Sequence, residues 1–259
     1  MDLGLKGCKA IICAASQGLG LACARSLAKE GVTITLNARN LDKLESVARE
    51  LADETGVQVM PVAADITTEG GRAALVAACS EPDILVNNNA GPAPGRLEDW
   101  SHDVWLTAIE ANMLAPILLI RAVIGGMRQR KFGRIVNITS AMVKSPRPAM
   151  GLSTAARTGL TALAKAVSLE CAVDNVTINN LLPERIDTDR QRFMAERMMT
   201  QQNISLEEAR RRITDSIAAK RFGLPEEFGD ACAFLCSRQA GFISGQNLQL
   251  DGGSYAGLV

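Results

Sequence analysis

Residues 10–20 read Ala10-Ile11-Ile12-Cys13-Ala14-Ala15-Ser16-Gln17-Gly18-Leu19-Gly20, an apolar run that breaks into a glycine-spaced turn. The run predicts a strand buried on both faces, as the strands of a parallel sheet are. Beyond the turn, Leu19, Cys23 and Leu27 recur at helical spacing. In such a strand–turn–helix unit, Gly18 and Gly20 let the backbone approach a pyrophosphate, which the positive helix N-terminus then holds. A lone GxG is equally a plain turn before a helix, so the rest of the chain has to decide.

The same alternation continues outward. VTITL is followed by a helical stretch from Leu41 to Glu54, and VQVMPVAA by one from Thr68 to Cys79. DILV precedes a long helical stretch from about His102 to Arg128, RIVNIT precedes the helix GLSTAARTGLTALAKAVSLE, and VTINNLL and NLQLDGG close the series. Seven apolar strands separated by helices predict one domain over 1–259: an α/β, doubly wound, parallel seven-stranded sheet with helices on both faces, the Rossmann arrangement. The excursion from Asp187 to Phe222 is polar and helical. Ser205 to Glu208 has the form of a capping box, and Leu206, Ala209, Ile213 and Ile217 supply an apolar stripe. An insertion above the carboxyl ends of the strands is placed to act as a lid.

Composition narrows the function classes. Lys and Arg total 28, Asp and Glu 28, with no charge block, so the electrostatic footprint of a nucleic-acid binder is missing and small molecules are the expected partners. The N-terminus lacks a signal pattern and no run of 18 uninterrupted apolar residues occurs, so the expectation is a cytoplasmic protein with no membrane partner. Seven scattered cysteines suit a reduced compartment. Cys232 and Cys236 lie four apart, but with His102 as the sole histidine no metal site is expected.

Further motifs follow in order: Asp65 in VAADIT, Asn87-Asn88-Asn89-Ala90-Gly91 after the fourth strand, Asn112 in EANMLAP, Ser140 in NITSA, and Pro183-Glu184-Arg185-Ile186-Asp187-Thr188 after the sixth. RFGLPEEFGDACAFLCS and ISGQNLQLDGG end the chain. With the glycine turn, these resemble the short-chain dehydrogenase/reductase family from end to end. Its glycine motif stands here as CAASQGLG with Ala14 for the first glycine, and NNNAG carries one asparagine more than the family's NNAG, which leaves that register open by one residue. The resemblance implies a dinucleotide held by Ser16, Gln17, Gly18, Leu19, Gly20, Arg39, Asp65, Ile66, Asn88, Ala90, Arg157, Pro183, Ile186 and Thr188, and a homodimer or homotetramer.

Charge at the end of the second strand distinguishes the two cofactors. An NAD enzyme places an acid about 20 residues past the glycine turn for the ribose 2′-hydroxyl, whereas NADP needs a cation and no acid. Ala38 stands where the acid would be and Arg39 follows, so NADP is expected.

In the family, a tyrosine follows the serine by thirteen residues and a lysine follows the tyrosine by four; counted from Ser140, those positions hold Ser153 and Arg157. Asn112, Ser140, Ser153 and Arg157 are therefore the candidate catalytic set. An alkyl hydroxyl is a far weaker acid than a phenol, although a guanidinium can hold a ribose and stabilise an oxyanion. Glu184, Lys144 and Tyr255 are the other groups able to join the chemistry; each also has an ordinary reading, as an ion pair with Arg185, a solvated lysine and a packed C-terminal tail. In the lid, Phe193, Met194, Met198 and Met199 with Arg190, Arg192 and Arg197 would suit an apolar carbonyl compound with an anionic end, such as an acyl thioester, or simple packing on the core. Three readings stay open: an NADP-dependent oxidoreductase on a carbonyl/alcohol pair, 3-oxoacyl reductase-like but with a non-standard site; a non-catalytic dinucleotide sensor or partner subunit; and an isomerase or dehydratase derived from the same fold.

Overall fold

The computed structural model describes residues 1–258. Seven strands, β1 (Lys9–Ile12), β2 (Thr33–Ala38), β3 (Val59–Ala63), β4 (Ile84–Asn87), β5 (Gly133–Ile138), β6 (Val176–Pro183) and β7 (Asn247–Leu250), form one parallel sheet in the order β3-β2-β1-β4-β5-β6-β7. Strand side chains alternate between faces, and both faces are covered. Ala10, Ile12, Ile34, Leu36, Val86 and Val136 point to one core layer, against Leu27 of α1 (Gly18–Lys29), Leu44 and Leu51 of α2 (Leu41–Thr55), and Phe228 and Cys232 of α9 (Pro225–Cys236). Ile11, Cys13, Leu85, Ile135 and Ile178 point to the other, against Leu75 of α3 (Glu69–Ala78), Leu119 and Val123 of α5 (Ala115–Arg130), and Leu160 and Ala164 of α6 (Gly151–Cys171). This two-sided burial is why the central strands β1 and β4 read as apolar runs, whereas the edge strands β3 and β7 stay partly exposed.

Helix starts follow short polar residues that satisfy free backbone N–H groups. The side chains of Asn40, Thr68, Ser101 and Ser205 accept from the N–H groups of Lys43, Gly71, Val104 and Glu208, opening α2, α3, α4 (His102–Ile109) and α8 (Leu206–Asp215). Between α4 and α5 the chain makes a single π turn, Glu110–Leu114, so the stretch His102–Arg130 is one continuous helix. By length and composition this helix is apolar enough to cross a membrane, with a mean hydropathy of 1.6 over an 18-residue window. Ala115, Leu119, Ile120, Val123 and Met127 bury one face of it against the sheet.

Four asparagines stand side by side across the carboxyl half of the sheet. Register pairs Asn87 with Asn137, Asn137 with Asn180, and Asn180 with Asn247. Each side-chain amide donates to the next carbonyl: Asn87 Nδ2 to Asn137 Oδ1 at 2.9 Å, Asn137 Nδ2 to Asn180 Oδ1 at 3.0 Å, and Asn180 Nδ2 to Asn247 Oδ1 at 2.8 Å. A buried amide without a partner costs about 1–3 kcal/mol, so the ladder is stable only in this register.

The excursion expected between Asp187 and Phe222 folds as α7 (Asp189–Gln202) and α8, with a small core of its own made of Ala195, Ala209, Ile213, Ile217 and Phe222. Its two ends meet. Ile186 bridges to Gly223, and the Asp187 N–H donates to the Gly223 carbonyl at 2.8 Å. The segment is therefore pinned at its base beside the carboxyl end of β6.

Candidate active site

Strand order reverses direction between β1 and β4, and a cleft of about 1290 Å³ opens at the carboxyl ends of the strands there. The glycine turn forms its floor. Ala14 sits at φ +47° and Gly18 at φ +59°, in the left-handed region. At Gly20, a Cβ would lie 2.4 Å from the Ala14 carbonyl oxygen and 2.9 Å from Asn88 Nδ2, so only glycine lets the loop close this tightly. Gln17 caps α1 without a side-chain hydrogen bond and the first turn holds no acid, which leaves the helix N–H groups and positive dipole end turned to an anion.

At one end of the cleft stand Ala38, Arg39, Asn40 and Lys43. Lys43 also reaches the Gln17 side chain across the cleft mouth. Asp65 lies beyond them, its carboxylate accepting from the Thr67 N–H at 3.0 Å and the Thr67 hydroxyl at 2.8 Å; these bonds, the N–H foremost, hold its carboxyl below the usual range. Ile66 is buried beside it.

The asparagine turn separates the two ends, and the structure fixes its register. Asn87 faces into the sheet, Asn88 reaches back to the Ala14 carbonyl at 3.2 Å, and Asn89 Nδ2 donates to the Ala111 carbonyl at 3.0 Å, tying the turn to the π turn. Asn88, Asn89, Ala90 and Gly91 border the cleft.

At the other end Ser140, Arg157, Pro183, Ile186 and Thr188 converge. Ser140 caps a short 3₁₀ turn, its oxygen accepting from the Met142 N–H at 3.2 Å. Ser153 and Arg157 are one turn apart on α6, and Arg157 Nη1 donates to Ser153 Oγ at 2.8 Å while Nη2 donates to the Asn89 carbonyl at 3.3 Å. No carboxylate pairs with Arg157 among the described residues. Burial, and then the charge of Arg190, push its pKa down to about 10, so it is still cationic at neutral pH.

Of the residues picked from sequence, Ser16, Gln17, Gly18, Leu19, Arg39, Asp65, Ile66, Asn88, Ala90, Ser140, Arg157, Pro183, Ile186 and Thr188 border this one cleft. Gly20, Asn112 and Ser153 stand behind its wall. Asn112 is buried inside the π turn with its amide on the Ala108 carbonyl, and Ser153, 1% exposed, is sealed off behind Arg157. Glu184 is engaged by Arg147 at 2.6 Å and Arg185 at 3.7 Å, and the Lys144 ammonium lies over the Tyr255 ring. From α7, Arg190, Phe193, Met194, Arg197 and Met198 face the cleft; Arg190 and Arg197 also donate to the carbonyls of Pro92 and Pro94. Met199 packs in the α7–α8 core and Arg192 pairs with Glu196. Lys43 and Arg147 are cleft residues that sequence reasoning missed, and Asn89, which the open register of the asparagine turn left undecided, borders the cleft beside Asn88. For Lys43 a signal existed, a second cation four residues after Arg39.

The fold is shared with known proteins. A family model described as enoyl-(acyl carrier protein) reductase matches residues 13–255. The NADPH-dependent reductase BacG of Bacillus subtilis is 34% identical over 250 residues, covering 95% of this chain and 96% of that protein. The 3-oxoacyl-[acyl-carrier-protein] reductase FabG of Rickettsia bellii is 32% identical over 252 residues, covering 97% and 98%. The crystal structure of L-sorbose reductase from Gluconobacter frateurii, complexed with NADPH and L-sorbose, superimposes with a TM-score of 0.94 at 31% identity, over 100% of both chains.

Proposed function

The chain belongs to the short-chain dehydrogenase/reductase family and is an oxidoreductase, and from that premise we propose that it uses NADPH to interconvert a carbonyl and an alcohol, in the manner of a 3-oxoacyl reductase but without a phenolic acid. The observation that carries the cofactor is the pair Arg39 and Lys43 beside Ala38, at the end of the cleft opposite Arg157. Two cations and no acid at the second strand's end suit a 2′-phosphate. The open N-terminus of α1 suits the pyrophosphate, and Gly20 lets the turn beneath it close against Ala14 and Asn88. When bound, NADPH supplies the hydride equivalent that the reduction requires.

The protein's own part lies at the other end of the cleft. Arg157 and Ser153 stand where the family carries its lysine and tyrosine. Arg157, desolvated and cationic, binds the nicotinamide ribose and stabilises negative charge on the carbonyl oxygen as it builds, the strongest use of a preorganised charge. Ser153 accepts from Arg157 and is closed off from the cleft, so it orients the guanidinium rather than giving up a proton. Ser140 borders the cleft and positions the oxygen. The only tyrosine, Tyr255, is not among the cleft residues, so the proton is not given by a phenol. Phe193, Met194 and Met198 cover the apolar part of the substrate, making α7 a lid.

Two features support assembly into a homodimer or homotetramer: Val104, Leu106 and Leu114 are exposed on the long helix, and Phe234, Phe242 and Leu248 are exposed around the β7 edge. Seven unpaired cysteines, all but Cys8 buried, support a reducing, cytoplasmic setting. A second reading, a dinucleotide-binding sensor or partner subunit, is favoured by the withdrawal of Ser153 from the cleft. Loss of NADPH absorbance over a panel of 3-oxoacyl thioesters and simple ketones separates the two. Turnover of a 3-oxoacyl thioester, lowered about 10²–10³-fold in Arg157→Met, is expected; NADPH that binds yet is consumed with no member of the panel overturns the enzyme reading in favour of the sensor.

A further inference from the structure

Next to the cleft, under α7 and α8, lies a second cavity of about 330 Å³ that shares Arg147, Glu184, Arg185 and Met198 with it. Its remaining walls include Arg212, Ser216 and Ser254. The charges here do not balance within the cavity. Glu184 Oε1 is the one carboxylate oxygen serving both Arg147, at 2.6 Å, and Arg185, at 3.7 Å. Arg212 is matched separately by Glu208 at 2.7 Å and so adds little to the surplus. Arg185 is largely withdrawn from water, and that burial together with Arg147 holds its pKa below the usual guanidinium range. Arg185, largely buried, thus shares its one acid with the half-exposed Arg147, and a desolvated guanidinium with half a counter-ion is costly unless something negative joins it.

Two further observations point to a ligand rather than to a structural ion pair. Arg185 is held at φ +60°, a left-handed conformation that costs a non-glycine residue about 1–3 kcal/mol and gathers at ligand clamps. The Ser254 hydroxyl is buried on the cavity wall with no hydrogen-bond partner. A short anionic oxygen group would satisfy the hydroxyl and both guanidiniums, which bind planar oxyanions in bidentate fashion.

We propose that this side cavity is an anion subsite, and that the substrate reduced in the adjoining cleft carries a carboxylate or phosphate bound between Arg147, Arg185 and the Ser254 hydroxyl, with Glu184 as the internal counter-ion it displaces. This rests on the reductase reading for the word substrate, but the site itself is tested by binding alone. The entrance from the cleft lies at Arg147, Glu184, Arg185 and Met198, so one molecule can span from Ser140 and Arg157 into the cavity.

The test is calorimetric titration of the NADP⁺-saturated protein with glutarate, with dimethyl glutarate, and with inorganic phosphate. Saturable binding of glutarate or phosphate but not of the neutral diester is expected, and the tighter of the two names the anionic group. Affinity should fall at least about tenfold in Arg185→Gln and in Arg147→Gln, the loss of one charge-assisted pair. Arg147 is half exposed, so its variant keeps the test decisive if Arg185→Gln fails to fold. Glu184→Gln removes the competing carboxylate and should tighten anion binding several-fold, a gain that a purely structural Glu184 would not produce. Equal binding of diester and dianion, no binding of either anion, or unchanged affinity in both arginine variants overturns the subsite. Titration of NADPH in the same calorimeter reports on the cofactor site separately, so failure of the one is not mistaken for failure of the other.

Discussion

At Ala14 the sequence places a methyl group where the family's motif has glycine, and the structure shows its cost: φ is +47°. A left-handed conformation costs a non-glycine residue about 1–2 kcal/mol, and glycine would give back about 0.4–1 kcal/mol through a freer unfolded chain. Ala14→Gly is thus expected to raise stability by about 0.5–1 kcal/mol, read as a shift of the urea midpoint; an unchanged or lower midpoint would show that the loop is not strained. Spacing alone placed Ser153 and Arg157 on one face of a helix. It did not tell which would reach the cleft, because that depends on side-chain length: the guanidinium extends to Asn89 while the hydroxymethyl stays behind it. Lys43 had a signal in its spacing from Arg39, but its nearness to Gln17 is set by how α2 starts from the Asn40 cap.

At the level of elements, all seven strands were legible, the central β1, β4 and β5 as apolar runs because they are buried on both faces, and the edge strands β3 and β7, which hold no fully buried residue, mainly through their place in the alternation with helices. The asparagine ladder was not. Asn87, Asn137, Asn180 and Asn247 are scattered over 160 residues and become neighbours only through strand register, which a single sequence does not print. Asn137 is fully buried and holds the centre of the ladder, donating to Asn180 and accepting from Asn87. Asn137→Ala leaves the buried Asn180 Oδ1 without its donor, leaves Asn87 Nδ2 with only the 3.5 Å contact to the Pro116 carbonyl, and opens a small cavity, so it is expected to cost about 2–5 kcal/mol. Chemical denaturation measures this; a loss below about 0.5 kcal/mol, the range of ordinary surface changes, would mean that the ladder does not hold the sheet together. The long helix was legible as well, whereas its π turn was not: nothing in EANML marks an extra residue per turn, and the wider turn shows only where Asn89 ties to Ala111 and Asn112 turns inward.

On the scale of the whole molecule, function follows from where the strand order reverses. The reversal between β1 and β4 opens the cleft, α7 of the excursion lines one side of it, and the pinned ends at Ile186 and Gly223 hold the excursion beside the carboxyl end of β6. The excursion's bounds could be read from its polar composition and capping box. The side cavity beneath it could not, because Arg147, Arg185 and Ser254 meet only in the folded chain. The central claim is that one cleft joins two opposed ends, with cations for a 2′-phosphate at Arg39 and Lys43 and a guanidinium for the reacting oxygen at Arg157. It is tested most directly by calorimetric titration of NADPH and NADH into the wild type, Arg39→Ala and Lys43→Ala. NADPH is expected to bind the wild type at least about tenfold more tightly than NADH, the worth of one or two charge-assisted hydrogen bonds, and the preference should shrink in both variants while NADH affinity barely moves. Equal affinity for the two cofactors, or a preference untouched by either substitution, would contradict the account.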